Sequence, residues 1–173
     1  MFKKFLSIMT LTSISIFSLG CTSVNPNEDV LIAEVKASRI PSHHVTVYEA
    51  IKKYSKEFNV DEKTIHAIVK TESNYNPKAV SSSNAQGLMQ LLPSTGKARG
   101  CTNLFDIHQN IRCGTKHYAG LLARYKGNED LALSAYNCGG GCVDRYKGKV
   151  PPFTQGYVNK VKANRRSIIL NEI

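Results

Sequence analysis

Glu72 closes an apolar helical face: it lies seven residues after Ile65, four after Ile68 and three after Val69, and residues three or four apart share one side of a helix. A carboxyl so placed points inward with those neighbours. Burial without a cationic partner disfavours its charged form and raises its pKa, as a proton donor working near neutral pH requires. The same position also suits a helix-end carboxylate that turns into solvent or bonds the following turn. Periodicity alone leaves both readings of Glu72 open.

Five cysteines are the other reactive side chains. An oxidising compartment tends to pair thiols, and an odd number leaves one over. Setting Cys21 aside leaves Cys101, Cys113, Cys138 and Cys142, which can form two disulfides in three connectivities. The local pairs Cys101 with Cys113 and Cys138 with Cys142 are preferred, because the glycines between the latter two give so short a loop access to positive φ. The four lack the paired CxxC elements of a zinc site, so no metal and no other cofactor is expected.

The amino terminus bears on that compartment. Lys3 and Lys4 precede an uncharged apolar and hydroxylic run over residues 5–19, then Gly20 and Cys21. This reads as an export signal over residues 1–20, the run being shorter than the ~20 residues a spanning helix needs. Its end resembles a lipoprotein signal in which a lipidated Cys21 becomes the first mature residue, although Ser18 and Leu19 depart from that pattern. Ser18, Leu19 and Gly20 equally satisfy an ordinary signal-peptidase site, but lipidation accounts for the fifth cysteine. Either route predicts an exported, periplasmic protein, and the lipidated one an outer-membrane lipoprotein. Residues 21–45, with Pro26 and Pro41 as breakers and a short apolar patch at Leu31, Ile32 and Val35, read as a tether or arm. The domain proper is expected over residues 46–173.

Lys and Arg outnumber Asp and Glu by 23 to 13, a formal net charge of +10. Such a surface suits anionic polymers or membranes. No ordered aromatic and basic recognition motif supports nucleic acid as the partner, and export favours the cell wall.

Helices must position these groups. Val47, Ala50, Ile51, Tyr54 and Phe58 recur at helical spacing with Lys52, Lys53 and Lys56 between them. Asp61 is a natural N-cap for a second helix that reaches Ser73 and ends before Asn76 and Pro77. Residues 81–84 read as a turn, 85–95 as a short helical or irregular stretch ended near Pro93, and 96–106 as a disulfide-tied loop with room for a small hairpin. A helix over 110–125 turns Ile111, Tyr118, Leu121, Leu122 and Tyr125 inward. Gly127 and Asn128 make a turn, and Glu129 and Asp130 suit the first turn of the next helix, which the glycine cluster stops near Asn137. A last helix from about Thr154 carries Tyr157, Val158, Val161, Ile168 and Ile169. The pattern is all-α, without an internal repeat.

Three ordered blocks, ESNYNPKAVSSSNAQGLMQLLPST, NIRCGTKHYAGLLARY and ALSAYNCGGGC, resemble those of the soluble lytic transglycosylase (SLT) family over roughly residues 47–161. The resemblance implies a mainly helical, lysozyme-like single domain with a cleft between two helical lobes. The family's catalytic glutamate falls on Glu72 and its adjoining serine on Ser73. Its glycan-contacting serine falls on Ser81, its cleft glutamine on Gln90, and the tyrosine and asparagine of its AYN block on Tyr136 and Asn137. A phenol at Tyr136 could hold the Glu72 carboxyl, while Gln90 and Asn137 could recognise N-acetyl groups. Each has a plainer alternative: Ser81 capping a turn, Gln90 bonding backbone, Tyr136 in the core, Asn137 ending its helix. The family often has alanines where Cys138 and Cys142 lie and proline where Gly140 lies, which suggests a disulfide in place of proline's rigidity.

Ordinary glycosidases use two carboxyl groups, and the matching blocks offer one. Asp106, Glu129, Asp130 and Asp144 each sit at a loop or helix start where capping explains them. The family's chemistry answers this: Glu72 protonates the β-1,4 bond between N-acetylmuramic acid and N-acetylglucosamine, then deprotonates the muramic C6 hydroxyl, which closes a 1,6-anhydro ring. The implied partners are peptidoglycan glycan strands, a membrane reached through Cys21, and cell-envelope secretion machinery. A lysozyme-type hydrolase of the same fold, and a wall-binding subunit without turnover, are the competing readings.

Overall fold

A computed structural model describes residues 42–170. The export signal, the Cys21 site and the Leu31, Ile32 and Val35 patch lie outside the described residues. Helix α1, Ser42–Glu57, starts upstream of Thr46 and buries Val47, Ala50, Ile51 and Tyr54, the stripe its spacing predicts. Helix α2, Glu62–Ser73, is capped by Asp61, whose carboxylate accepts from the Thr64 N–H at 2.9 Å. It ends at Asn74, which takes the left-handed conformation at φ 50°, a cap that asparagine tolerates better than most residues.

Residues 75–92 form an irregular segment folded onto the core rather than a surface loop. Leu88 and Met89 are fully buried, and isolated antiparallel bridges join Val80 to Gln86 and Gln86 to Leu91. Asn110 holds this segment. Its side-chain oxygen accepts from the Met89 N–H at 2.7 Å, and its amide nitrogen donates to the carbonyls of Gln86 at 2.9 Å and Leu104 at 2.7 Å. Gly87 passes so close that a Cβ would meet the Leu104 carbonyl oxygen at 2.1 Å, and its φ of +75° also favours glycine.

The structure corrects the reading of Pro93. It opens helix α3, Pro93–Arg99, instead of ending one, because a residue without an N–H and with φ near −65° costs nothing in a first helical turn. Half of the stretch read as a loop over 96–106 is therefore helix or its cap, with Gly100 closing α3 at φ 88°. No hairpin lies there. Asp106 caps α4, Ile107–Arg124, by accepting from the Gln109 N–H. Asn128 likewise caps α5, Glu129–Cys138.

A short helix α6, Gly140–Arg145, follows in the glycine cluster, where none was expected. A 3-10 turn, Pro152–Thr154, leads into α7, Gln155–Leu170. The described residues are all-α, as expected. Helix α7 packs on α2 and α5, while α1 packs on α4. Cys101 is joined to Cys113, and Cys138 to Cys142. The first bond ties the segment after α3 to α4, and the second spans the junction of α5 and α6. Of the three glycines inside that second loop, Gly139 is the one at positive φ.

Candidate active site

Glu72 sits in the last turn of α2, which delivers it to a cleft of about 570 Å³. Ser81, Gln90, Tyr136 and Asn137 line the same cleft, so four residues matched only by motif position converge on the carboxyl. Ser73 borders the adjoining pocket, which Glu72, Ser81 and Gln90 also line. Its hydroxyl donates to the Leu88 carbonyl at 2.8 Å, with the Val69 carbonyl at 3.1 Å, and so fastens the end of α2 to the 75–92 segment.

The partner of Glu72 differs from the expectation. Tyr157, on α7, places its hydroxyl 2.6 Å from the Glu72 carboxyl and donates to it. Tyr136 instead donates to the Met89 carbonyl at 2.8 Å. Its reach from α5 stops at the backbone of the 75–92 segment, whereas α7 runs directly alongside α2. Burial raises the Glu72 pKa above the ordinary carboxyl value of 4.5, opposed by the Tyr157 hydrogen bond and the charge of Lys160. Burial and the nearby carboxylate push both phenols well above their usual range, so Tyr157 stays a donor.

Gln90 uses its amide nitrogen on the backbone carbonyls of Gly87 at 2.9 Å and Ala79 at 3.1 Å. Among the described residues its amide oxygen remains for a ligand. Ser81 caps a turn, its hydroxyl oxygen accepting from the Ala85 N–H at 3.0 Å. The exposed Asn137 side chain makes no hydrogen bond among the described residues. His117 also reaches the cleft and was not singled out from sequence. Arg99 donates to its Nδ1 at 3.1 Å, and burial with the Arg99 charge lowers its pKa to about 4. The ring is neutral at neutral pH, with its proton on Nε2. Its spacing of four from both Cys113 and Leu121 was the available signal.

The Tyr157 contact makes a prediction. Tyr157→Phe removes the one hydrogen bond that lowers the Glu72 pKa, so the alkaline limb of the pH-rate profile should move to higher pH. Losing a hydrogen bond to a charged group should also lower turnover about ten-fold. Turnover measured against pH decides it, and an unmoved limb would contradict the assignment.

The sequence matches the Transglycosylase SLT domain family over residues 49–156. The chain belongs to the SLT family. Among its relatives, the transglycosylase of enterobacteria phage PRD1 is 39% identical over 109 residues, which are 60% of this chain and 41% of the phage protein. The crystal structure of the 70 kDa soluble lytic transglycosylase of Escherichia coli superposes with a TM-score of 0.63 at 28% identity, covering 68% of this chain and 23% of that one. An inactive glutamate-to-glutamine variant of the lytic transglycosylase Slt from Pseudomonas aeruginosa gives 0.62 at 26% identity, with the same coverage. The chain thus spans less than half the length of each of these proteins.

Proposed function

We propose that the protein is a peptidoglycan lytic transglycosylase that cuts the β-1,4 bond between N-acetylmuramic acid and N-acetylglucosamine. The observation that carries this reading is a single half-buried carboxyl, Glu72, held by Tyr157 in a cleft whose other described lining residues include no Asp or Glu. An ordinary glycosidase mechanism needs two carboxyl groups; one is enough if the same group acts twice. The inactive glutamate-to-glutamine variant of the Pseudomonas aeruginosa relative is in keeping with a single essential glutamate.

In the first step Glu72 gives its proton to the glycosidic oxygen. The bond from that oxygen to muramic C1 breaks, and N-acetylglucosamine leaves with a free C4 hydroxyl. The muramic acetamido oxygen bonds to C1 and carries the positive charge. Glu72, now a carboxylate, takes the proton of the muramic C6 hydroxyl. O6 then bonds to C1 as the acetamido oxygen departs, which yields a 1,6-anhydro ring and restores protonated Glu72. Burial, which favours the neutral acid, and the Tyr157 bond, which favours the carboxylate, support the two states in turn.

Such a substrate lies in the cell envelope. The amino-terminal Lys3, Lys4 and apolar run support export to the periplasm, and Cys21 supports anchoring by lipid. Digestion of purified sacculi tests the reaction: the enzyme should release soluble fragments without creating reducing ends. Reducing ends in step with release would favour the hydrolase.

A further inference from the structure

A second surface feature lies away from the cleft, where α6 gives way to α7. Residues 144–149 are six successive exposed residues. They are folded tightly: the Tyr146 N–H donates to the Val143 carbonyl at 3.0 Å, and the Lys149 N–H to the Tyr146 carbonyl at 3.1 Å. Arg145, Lys147 and Lys149 belong to this turn, and none has a carboxylate within ion-pair distance among the described residues. The one acid here, Asp144, is taken by Arg124, and no Asp or Glu follows in the chain before Glu172.

Two exposed aromatic rings stand among these cations. Tyr146 is 40% and Phe153 64% exposed, and the rings meet edge to face at 5.9 Å. The backbone under Phe153 is fixed, because its neighbour Thr154 is fully buried. The Thr154 hydroxyl donates to the Pro151 carbonyl at 2.8 Å and meets the Ser134 hydroxyl of α5 at 3.0 Å. Neither ring lines the cleft or the pocket adjoining it.

Apolar surface gathered in one exposed patch marks a place of interaction, and the charge around it narrows the partner. A second copy of the chain would set three cations against three. A glycan would stack on the rings but also calls for hydrogen-bonding side chains beside them; Gln155, the amide that follows in the chain, gives its nitrogen to Asn159 at 3.0 Å. Aromatic rings bordered by Lys and Arg fit a bilayer interface, where the rings enter the headgroup layer and the cations stay with anionic phosphates.

We propose that Tyr146 and Phe153, with Arg145, Lys147 and Lys149 around them, dock this domain onto an anionic phospholipid surface. The inference goes beyond the peptidoglycan reading and does not depend on it. Each base near such a surface is worth about five-fold in binding, so the loss of two should weaken docking about thirty-fold.

The full chain contains no tryptophan, so Phe153→Trp sets a single fluorescent reporter in the patch and keeps an aromatic ring there. Val80→Trp, at a position 57% exposed and outside the patch, reports any lipid contact that the amino-terminal segment alone brings about. Each is titrated with vesicles of phosphatidylglycerol or of phosphatidylcholine whose acyl chains carry bromine as a quencher. Phosphatidylglycerol should shift the reporter at 153 to the blue and quench it, while leaving the one at 80 unchanged; phosphatidylcholine should affect neither. Adding Lys147→Gln and Lys149→Gln should move the phosphatidylglycerol titration about thirty-fold to higher lipid. Lys52→Gln and Lys56→Gln, which remove equal charge from α1, should move it far less. An unquenched reporter at 153, equal quenching at the two positions, or an equal move with the α1 pair overturns the proposal. So does a reporter at 153 that responds to purified glycan strands and not to vesicles, which would make the patch a wall-binding surface.

Discussion

Glu72→Gln should reduce release of soluble fragments from sacculi by about a thousand-fold, to background. Glutamine keeps the size and an oxygen for Tyr157 but can neither donate the first proton nor accept the second. A positioned general acid and base contributes about 10²–10⁴-fold, and here one group fills both roles. The same variant should be more stable than the wild type at neutral pH. Because burial raises the folded pKa of Glu72 above its ordinary 4.5, the folded protein holds the proton more tightly than the unfolded chain. That advantage is complete below the unfolded pKa and is lost as pH rises through the folded pKa. Thermal melts should therefore separate variant from wild type at about pH 7 and bring them together at about pH 4. Equal release at background level by the two proteins would leave binding without turnover as the reading.

Asn110→Ala should cost about 3–5 kcal/mol of folding stability, read as the shift in a urea unfolding midpoint. Asn110 is fully buried and satisfies the Met89 N–H and the Gln86 and Leu104 carbonyls. Truncation leaves the Met89 N–H and the Leu104 carbonyl without that partner, while the Gln86 carbonyl keeps the Leu91 N–H at 3.1 Å, at about 1–3 kcal/mol for each orphaned group, less what relaxation recovers. Activity should fall with stability, since the segment Asn110 holds carries Gln90 and presents the Met89 carbonyl to Tyr136. A loss under about 1 kcal/mol would mean that the segment is held by its apolar packing alone.

The candidate carboxyl was partly legible in the sequence: the local periodicity of Ile65, Ile68 and Val69 allowed Glu72 to point inward, and the resemblance to the SLT blocks gave it the role proposed here. Its partner was not legible. Tyr157 is 85 residues away in the chain and shares an apolar helix face with Val158 and Val161, where a phenol reads as packing. Tyr136 was given its role because both phenols border the site and motif position does not reveal which oxygen reaches which. Asn110 looked like a helix start, and only the fold brings it under residues 86–89. Pro93 misled because proline marks either end of a helix, and α6 was hidden by glycines that disfavour helix on propensity alone. The local disulfide pairs were foreseeable from the short spacing and the glycines.

The claim that one carboxyl acts twice makes its sharpest prediction in the atoms of the product. Sacculi digested in ¹⁸O-labelled water and analysed by mass spectrometry should yield muramic ends one water lighter than hydrolysis products and free of ¹⁸O. Full-mass reducing ends carrying ¹⁸O would show that water, and not the C6 hydroxyl, completes the reaction, and would contradict the account.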